Sequence, residues 1–152
     1  MNTVFRKLQF KDQDPILVAR APAEFQEHLE EIKGITTIAA RPTGARRYPF
    51  VLYFVRNCSD IAKLASVAVA LLENDGLLWF AYPKKSSKRY DSDIGRDDSW
   101  QPLGDLGFEG VRMIAIDTDW SALRLRHVDH IRSMKRDPKR AMSAKGKLRA
   151  GR

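Results

Sequence analysis

An α/β fold, with a mainly parallel sheet carrying helices on both faces and finished by an antiparallel hairpin, follows from three features of this sequence. Short apolar runs recur without polar interruption, as in strands buried on both faces. They alternate with segments whose apolar residues recur at three and four positions, the spacing of a helix face. The last two strand-like segments are joined by a short polar turn, which suits a hairpin.

Taken in order, Phe5, Leu8 and Phe10 mixed with Arg6, Lys7 and Lys11 predict a short edge element or arm over residues 1–14. Ile16 to Ala19 is the first buried strand. Pro22 suits the first position of a helix in which Phe25, Leu29 and Ile32 share a face, with Gly34 placed to end it. Ile35 to Ala40 is β-branched, stops at Arg41 and Pro42, and reads as a second strand. After a polar, basic loop from Thr43 to Pro49, Phe50 to Val55 is the most strand-like run and belongs at the centre of the sheet. Ser59 is expected to cap a helix with Ile61, Leu64, Ala65, Ala68, Leu71 and Leu72 on its apolar face, ended by an Asn74–Asp75–Gly76 turn. Leu77 to Tyr82 is the next strand. Beyond a long polar loop from Lys84 to Ser99, Trp100 to Leu106 predicts a short helix, and strands from Val111 to Ile116 and Ala122 to Val128 flank the turn at Asp117 to Ser121. Val128, Ile131 and Met134 allow a last short helix.

A chain of 152 residues with 43% hydrophobic and 30% charged residues suits one domain with a real core, here residues 15–136, followed by a basic flexible tail over 137–152. The net charge of +8 is unevenly placed: eleven of 27 lysines and arginines lie from Arg124 to Arg152, against only Asp129 and Asp137. The remainder is about neutral, so the overall charge describes the C-terminal part and not the domain. A single cysteine, Cys58, excludes an internal disulfide, and with neither a secretory leader nor a membrane-length apolar stretch the expected location is cytoplasmic. Without a secretory route, the sequon at Asn57–Cys58–Ser59 is a chance match.

This order of elements is the topology of class I methyltransferases, a Rossmann-like arrangement that binds ligands at the carboxyl ends of its parallel strands. The stretches DGLLWFAYPK (Asp75 to Lys84), DSDIGRDDSW (Asp91 to Trp100) and DTDWSALRLR (Asp117 to Arg126) resemble a family of small, uncharacterised bacterial proteins, a domain of unknown function. The similarity covers roughly Ile16 to Arg126 and implies a methyltransferase-like sheet, with no activity attached to it.

S-adenosylmethionine is the cofactor this topology invites, yet the turn after the first strand, Ala19 to Ala23, has no glycine, and the second strand ends in Ala40–Arg41–Pro42 without an acid for the ribose hydroxyls. The expected cofactor is none, and S-adenosylmethionine is the exception to test for. A second candidate is a cluster at the carboxyl edge, Tyr82, Lys84, Arg96, Asp97, Asp117 and Trp120. Lys84 and Arg96 could hold a phosphate or carboxylate, Trp120 could stack on a planar group, and Asp97 or Asp117 could orient it. The plainer reading, which we favour, pairs Arg96 with the aspartates to pin the loop and has Trp100 and Trp120 cover the sheet edge. A helix N-terminus could make Cys58 reactive, but a small packed cysteine explains it better. His127, His130, His28 and Cys58 do not make a zinc set, so no metal is expected. Gly104, Gly107 and Gly110 suit turns better than phosphate contact. In the tail, Arg132, Lys135, Arg136, Lys139, Arg140, Lys145, Lys147 and Arg149 could neutralise phosphates of RNA or DNA without sequence preference, having no aromatics to stack on bases. With no complete catalytic motif, the expected role is a non-catalytic or regulatory module binding a small, possibly anionic, ligand or a partner. The alternatives are a divergent methyltransferase-like enzyme and non-specific nucleic-acid association through the tail.

Overall fold

In the computed structural model, which describes residues 3–44, 46–95 and 98–131, the unbroken apolar runs lie side by side. They are β1 (Ile16–Ala19), β3 (Tyr48–Phe54) and β4 (Leu72–Pro83). With β2 (Ile38–Ala39), β5 (Phe108–Ala115) and β6 (Trp120–His127) they form one six-stranded sheet of order β2-β1-β3-β4-β6-β5. Strands β2, β1, β3 and β4 are mutually parallel, and β6 runs antiparallel to both β4 and β5. The α/β class with a parallel body and an antiparallel C-terminal hairpin is thus the observed one. The chain places β2 on one side of β1 and then crosses to β3 on the other, so strand order reverses between β1 and β3.

Each central strand feeds two cores because alternate side chains point to opposite faces. On one face Leu17, Val51, Tyr53, Leu78, Phe80 and Leu123 pack under α3 (Cys58–Ala70) and α4 (Gln101–Gly104), with Trp100 and Leu103 closing the layer. On the other face Ile16, Val18, Phe50, Leu52, Phe54 and Trp79 pack under α1 (Thr3–Lys7) and α2 (Gln26–Ile32), with Phe25 from the 3-10 turn at Ala23–Phe25. Among the described residues, no helix is long and apolar enough to cross a membrane.

The first residues depart from the expected arm. Thr3–Lys7 is a helix whose Val4 and Phe5, together with Leu8 and Phe10, are buried in the second core. Its hold on the sheet is a hydrogen bond from the Trp79 indole N–H to the Leu8 carbonyl, 2.9 Å, within the core. The charged Arg6 and Lys7 occupy the opposite side of the turn, with Lys7 reaching the carbonyl of Ala115 at 3.1 Å. Four smaller differences have equally local causes. The second strand shrinks from Ile35–Ala40 to Ile38–Ala39 because only Ile38 and Ala39 find partners on β1. The cap of α3 is Asn57, which accepts from the Asp60 N–H at 2.9 Å, and not Ser59. The expected Asn74–Asp75–Gly76 turn is absorbed into β4, where a register shift against β3 takes up the extra residues and Asp75 adopts a positive φ of 55°. Of the three glycines expected in turns, Gly110 lies within β5, whereas Gly107 has a φ of 88° that favours glycine. Only a 3-10 turn, Val128–His130, is described of the expected last helix; the rest of that helix and the basic tail lie outside the described residues.

Because Phe5 is fully buried among Phe10, Phe25 and Phe50, Phe5→Ala is expected to destabilise the protein by about 3 kcal/mol. Urea unfolding reads this directly, and a loss below about 0.5 kcal/mol, as at a surface site, would detach the N-terminal helix from the core.

Candidate functional site

Open α/β sheets bind ligands outside the carboxyl ends of their strands, where strand order reverses. In this chain that point lies between Ala19, the end of β1, and Phe54, the end of β3. The next residues are Arg20, which takes a left-handed φ of 64°, and Arg56 beyond Val55. Arg20 reaches across to Asp60 in the first turn of α3, 3.3 Å away, and the same carboxylate oxygen accepts the Arg56 backbone N–H at 2.8 Å.

The loop after β4 wraps over this edge. Its Tyr90 packs against the α1 and α2 face, while its Ile94 is buried on the α3 and α4 face. Tyr90 donates its hydroxyl to Glu24, which also accepts the Trp120 indole N–H at 3.1 Å and lies 3.7 Å from the Arg89 guanidinium. Burial works against the Glu24 charge, but the hydrogen bonds from Tyr90 and Trp120 outweigh it and hold the carboxyl below its ordinary value. Burial, and then the bond to Glu24, push the Tyr90 phenol upward. The Arg56 guanidinium lies over the Tyr90 ring at 4.8 Å, and that of Arg89 lies near it at 5.8 Å.

The structure divides the cluster expected from the sequence. Tyr82 lies on the α3 and α4 face, packed on Trp100 at 5.3 Å with its hydroxyl 3.4 Å from the Met113 sulfur. Trp120 is on the opposite face, buried between Phe54 and Tyr90. Lys84 joins the edge through its backbone N–H, which donates to the Asp119 carbonyl at 2.8 Å. Asp117 accepts the N–H groups of Asp119 and Trp120, both at 2.8 Å, and shapes the hairpin turn. Arg96 and Asp97 lie outside the described residues, as do the basic residues from Arg132 to Arg149. Sequence reasoning passed over Glu24, Arg20, Arg56, Arg89 and Tyr90. The available signal was position: Arg20 and Arg56 stand just beyond two neighbouring parallel strands.

Two clefts flank the sheet. One, of about 490 Å³, is lined by Cys58, Asp93, Ser99 and neighbours. Cys58 donates its backbone N–H to Asp93 at 2.8 Å, which holds that carboxyl below its ordinary value, and its sulfur lies 3.4 Å from the Ser99 hydroxyl, with no histidine in the lining. The other, of about 430 Å³, lies at the amino end of the parallel strands, where Arg126 is paired with Asp75 by two hydrogen bonds of 2.8 and 2.7 Å and His127 lies 3.6 Å from Asp129. Among the described residues, no three histidine, cysteine, aspartate or glutamate side chains are grouped as a metal site.

No family model matches the chain, and no curated protein sequence is significantly similar to it. The likeness that exists is of structure. The N-methyltransferase NodS from Bradyrhizobium japonicum, in complex with S-adenosyl-L-homocysteine, is 14% identical, with 82% of this chain and 84% of that chain covered at a TM-score of 0.50. A ribosomal-protein methylase from Lactobacillus delbrueckii subsp. bulgaricus is 13% identical over 82% of this chain and 76% of its own, with a TM-score of 0.48. The first of these shows the fold: the sheet is a methyltransferase-like Rossmann sheet.

Glu24→Gln tests the anchor of the edge. A carboxyl whose folded value is depressed stabilises fully above its unfolded value and loses that contribution as the pH falls through the folded one. The substitution is expected to cost about 1.5 kcal/mol near neutral pH, read as a shift in the urea midpoint. The gap to the parent should narrow below about pH 4; a gap independent of pH would remove the charge from the explanation.

Proposed function

We propose that this chain is a non-catalytic binding module on a methyltransferase-like sheet. What carries the reading is the Arg20–Asp60 pair, 3.3 Å long, spanning the gap between the ends of β1 and β3. A cofactor such as S-adenosylmethionine needs a turn after β1 whose backbone it can approach, and an acid beyond β2 for its ribose hydroxyls. The residues present do not fit that group. The turn carries the arginine side chain, β2 is followed by Ala40, Arg41 and Pro42, and the nearby carboxylates of Asp60 and Glu24 already hold donors from the protein itself.

The test is calorimetric titration of the full chain with S-adenosylmethionine and with S-adenosylhomocysteine. No saturable heat is expected from either at millimolar concentration. One-to-one binding of either in the micromolar range would overturn the reading and favour a divergent methyltransferase-like enzyme, for which the fold likeness to NodS is the supporting observation.

A further inference from the structure

At the carboxyl edge the guanidinium groups of Arg20, Arg56 and Arg89 stand near Asp60 and Glu24. Arg20 is paired with Asp60, and Arg89 lies beside Glu24. Arg56 is exposed at the end of the central strand, and among the described residues no carboxylate lies within ion-pair distance of its guanidinium. A guanidinium without a counter-charge ordinarily samples many rotamers in water. This one lies over the Tyr90 ring at 4.8 Å, and Tyr90 is itself fixed by its bond to Glu24.

We infer that Arg56 is the anchor of a binding site for a phosphate-bearing small molecule, at the point where strand order reverses between β1 and β3. The inference deepens the binding-module reading and rests on it. Two features select the ligand class. A stacked guanidinium presents a planar fork of donors, which matches two oxygens of a phosphate at once. Arg20 meets the Asp60 oxygen that accepts the Arg56 backbone N–H, and Arg89 shares the Tyr90 ring with Arg56; their side chains, 46% and 60% exposed, can turn spare N–H groups toward the same anion while keeping their carboxylates. A phosphate group offers that fork and its neighbours more acceptor oxygens and more charge than a single carboxylate does.

The probes are inorganic phosphate, a nucleoside 5′-monophosphate and the corresponding nucleoside, titrated calorimetrically into the full chain. Phosphate and nucleotide are expected to compete for one site, and the nucleoside to give no saturable heat. Affinity for both should fall at least tenfold in Arg56→Gln, and Arg56→Lys, which keeps the charge and loses the fork, should fall between parent and Arg56→Gln. Unchanged unfolding midpoints in both variants would exclude a folding effect. A nucleotide bound tenfold more tightly than phosphate assigns the site to a phosphorylated metabolite, and equal affinities assign it to the free anion; both outcomes support the site. Equal binding by parent and Arg56→Gln, binding of the nucleoside as tight as the nucleotide, or no heat from phosphate or nucleotide at ten millimolar would each overturn it. S-adenosylmethionine carries no phosphate. Heat from that compound alone would overturn both readings, whereas its silence with phosphate binding absent would overturn only this one.

Discussion

The carboxylate of Glu24 gathers donors from segments far apart in sequence. Tyr90 comes from the loop after β4, Trp120 from the first residue of β6, and Arg89 adds a cation from the same loop as Tyr90. The indole of Trp120 is buried, and a buried N–H without an acceptor costs about 1–3 kcal/mol. Glu24 removes that cost and in doing so fixes the register of the loop over the strand ends. Tyr90 then becomes a rigid plate for Arg56, so the placing of that arginine follows from one side chain on the turn after β1.

The sheet beneath this edge is held largely by other residues. Alternate residues of β3 and β4 supply aromatic groups to both cores: Tyr53 and Phe80 on one face, Phe50, Phe54 and Trp79 on the other. The scaffold is held by these packed layers and by the strand ladder; of the groups beyond the carboxyl ends, Tyr90 and Ile94 pack against the layers, while Arg20, Arg56 and Asp60 stand outside them. The Arg20–Asp60 pair can therefore form there while the sheet keeps its shape, whereas Glu24 ties the edge to the core through the buried Trp120 indole.

The sheet was legible because its signals are local. Ile16–Ala19, Phe50–Val55 and Leu77–Tyr82 are unbroken apolar runs, and strands buried on both faces have no other way to look. The hairpin followed from two further strand-like runs, interrupted by Arg112 and by Arg124 and Arg126, with Asp117 to Ser121 between them. The N-terminal helix was harder to read: Val4, Phe5 and Leu8 make only one turn of pattern, and the charges at Arg6 and Lys7 belong to the solvent side of that turn. The site was less legible still. Glu24 and Tyr90 are 66 residues apart and Trp120 lies 96 residues from Glu24, so no spacing rule joins them. The sequence led to Tyr82 and Trp120 as companions at one edge; the pleat turns them to opposite faces.

Strand β6 runs against its neighbours, beginning at the carboxyl edge with Trp120 and returning the chain to the other end of the sheet at His127. Eight residues of strand span roughly 26 Å. Residues 132–152, with nine of the 27 lysines and arginines and a single acid, are thus joined to the body at the end remote from Arg56. The hairpin thus carries the last described residues, up to Ile131, a strand's length away from the edge that holds Arg56. A reporter group placed at Asp129 or His130 would therefore sit at the amino end of the sheet and leave the arginine-bearing edge open.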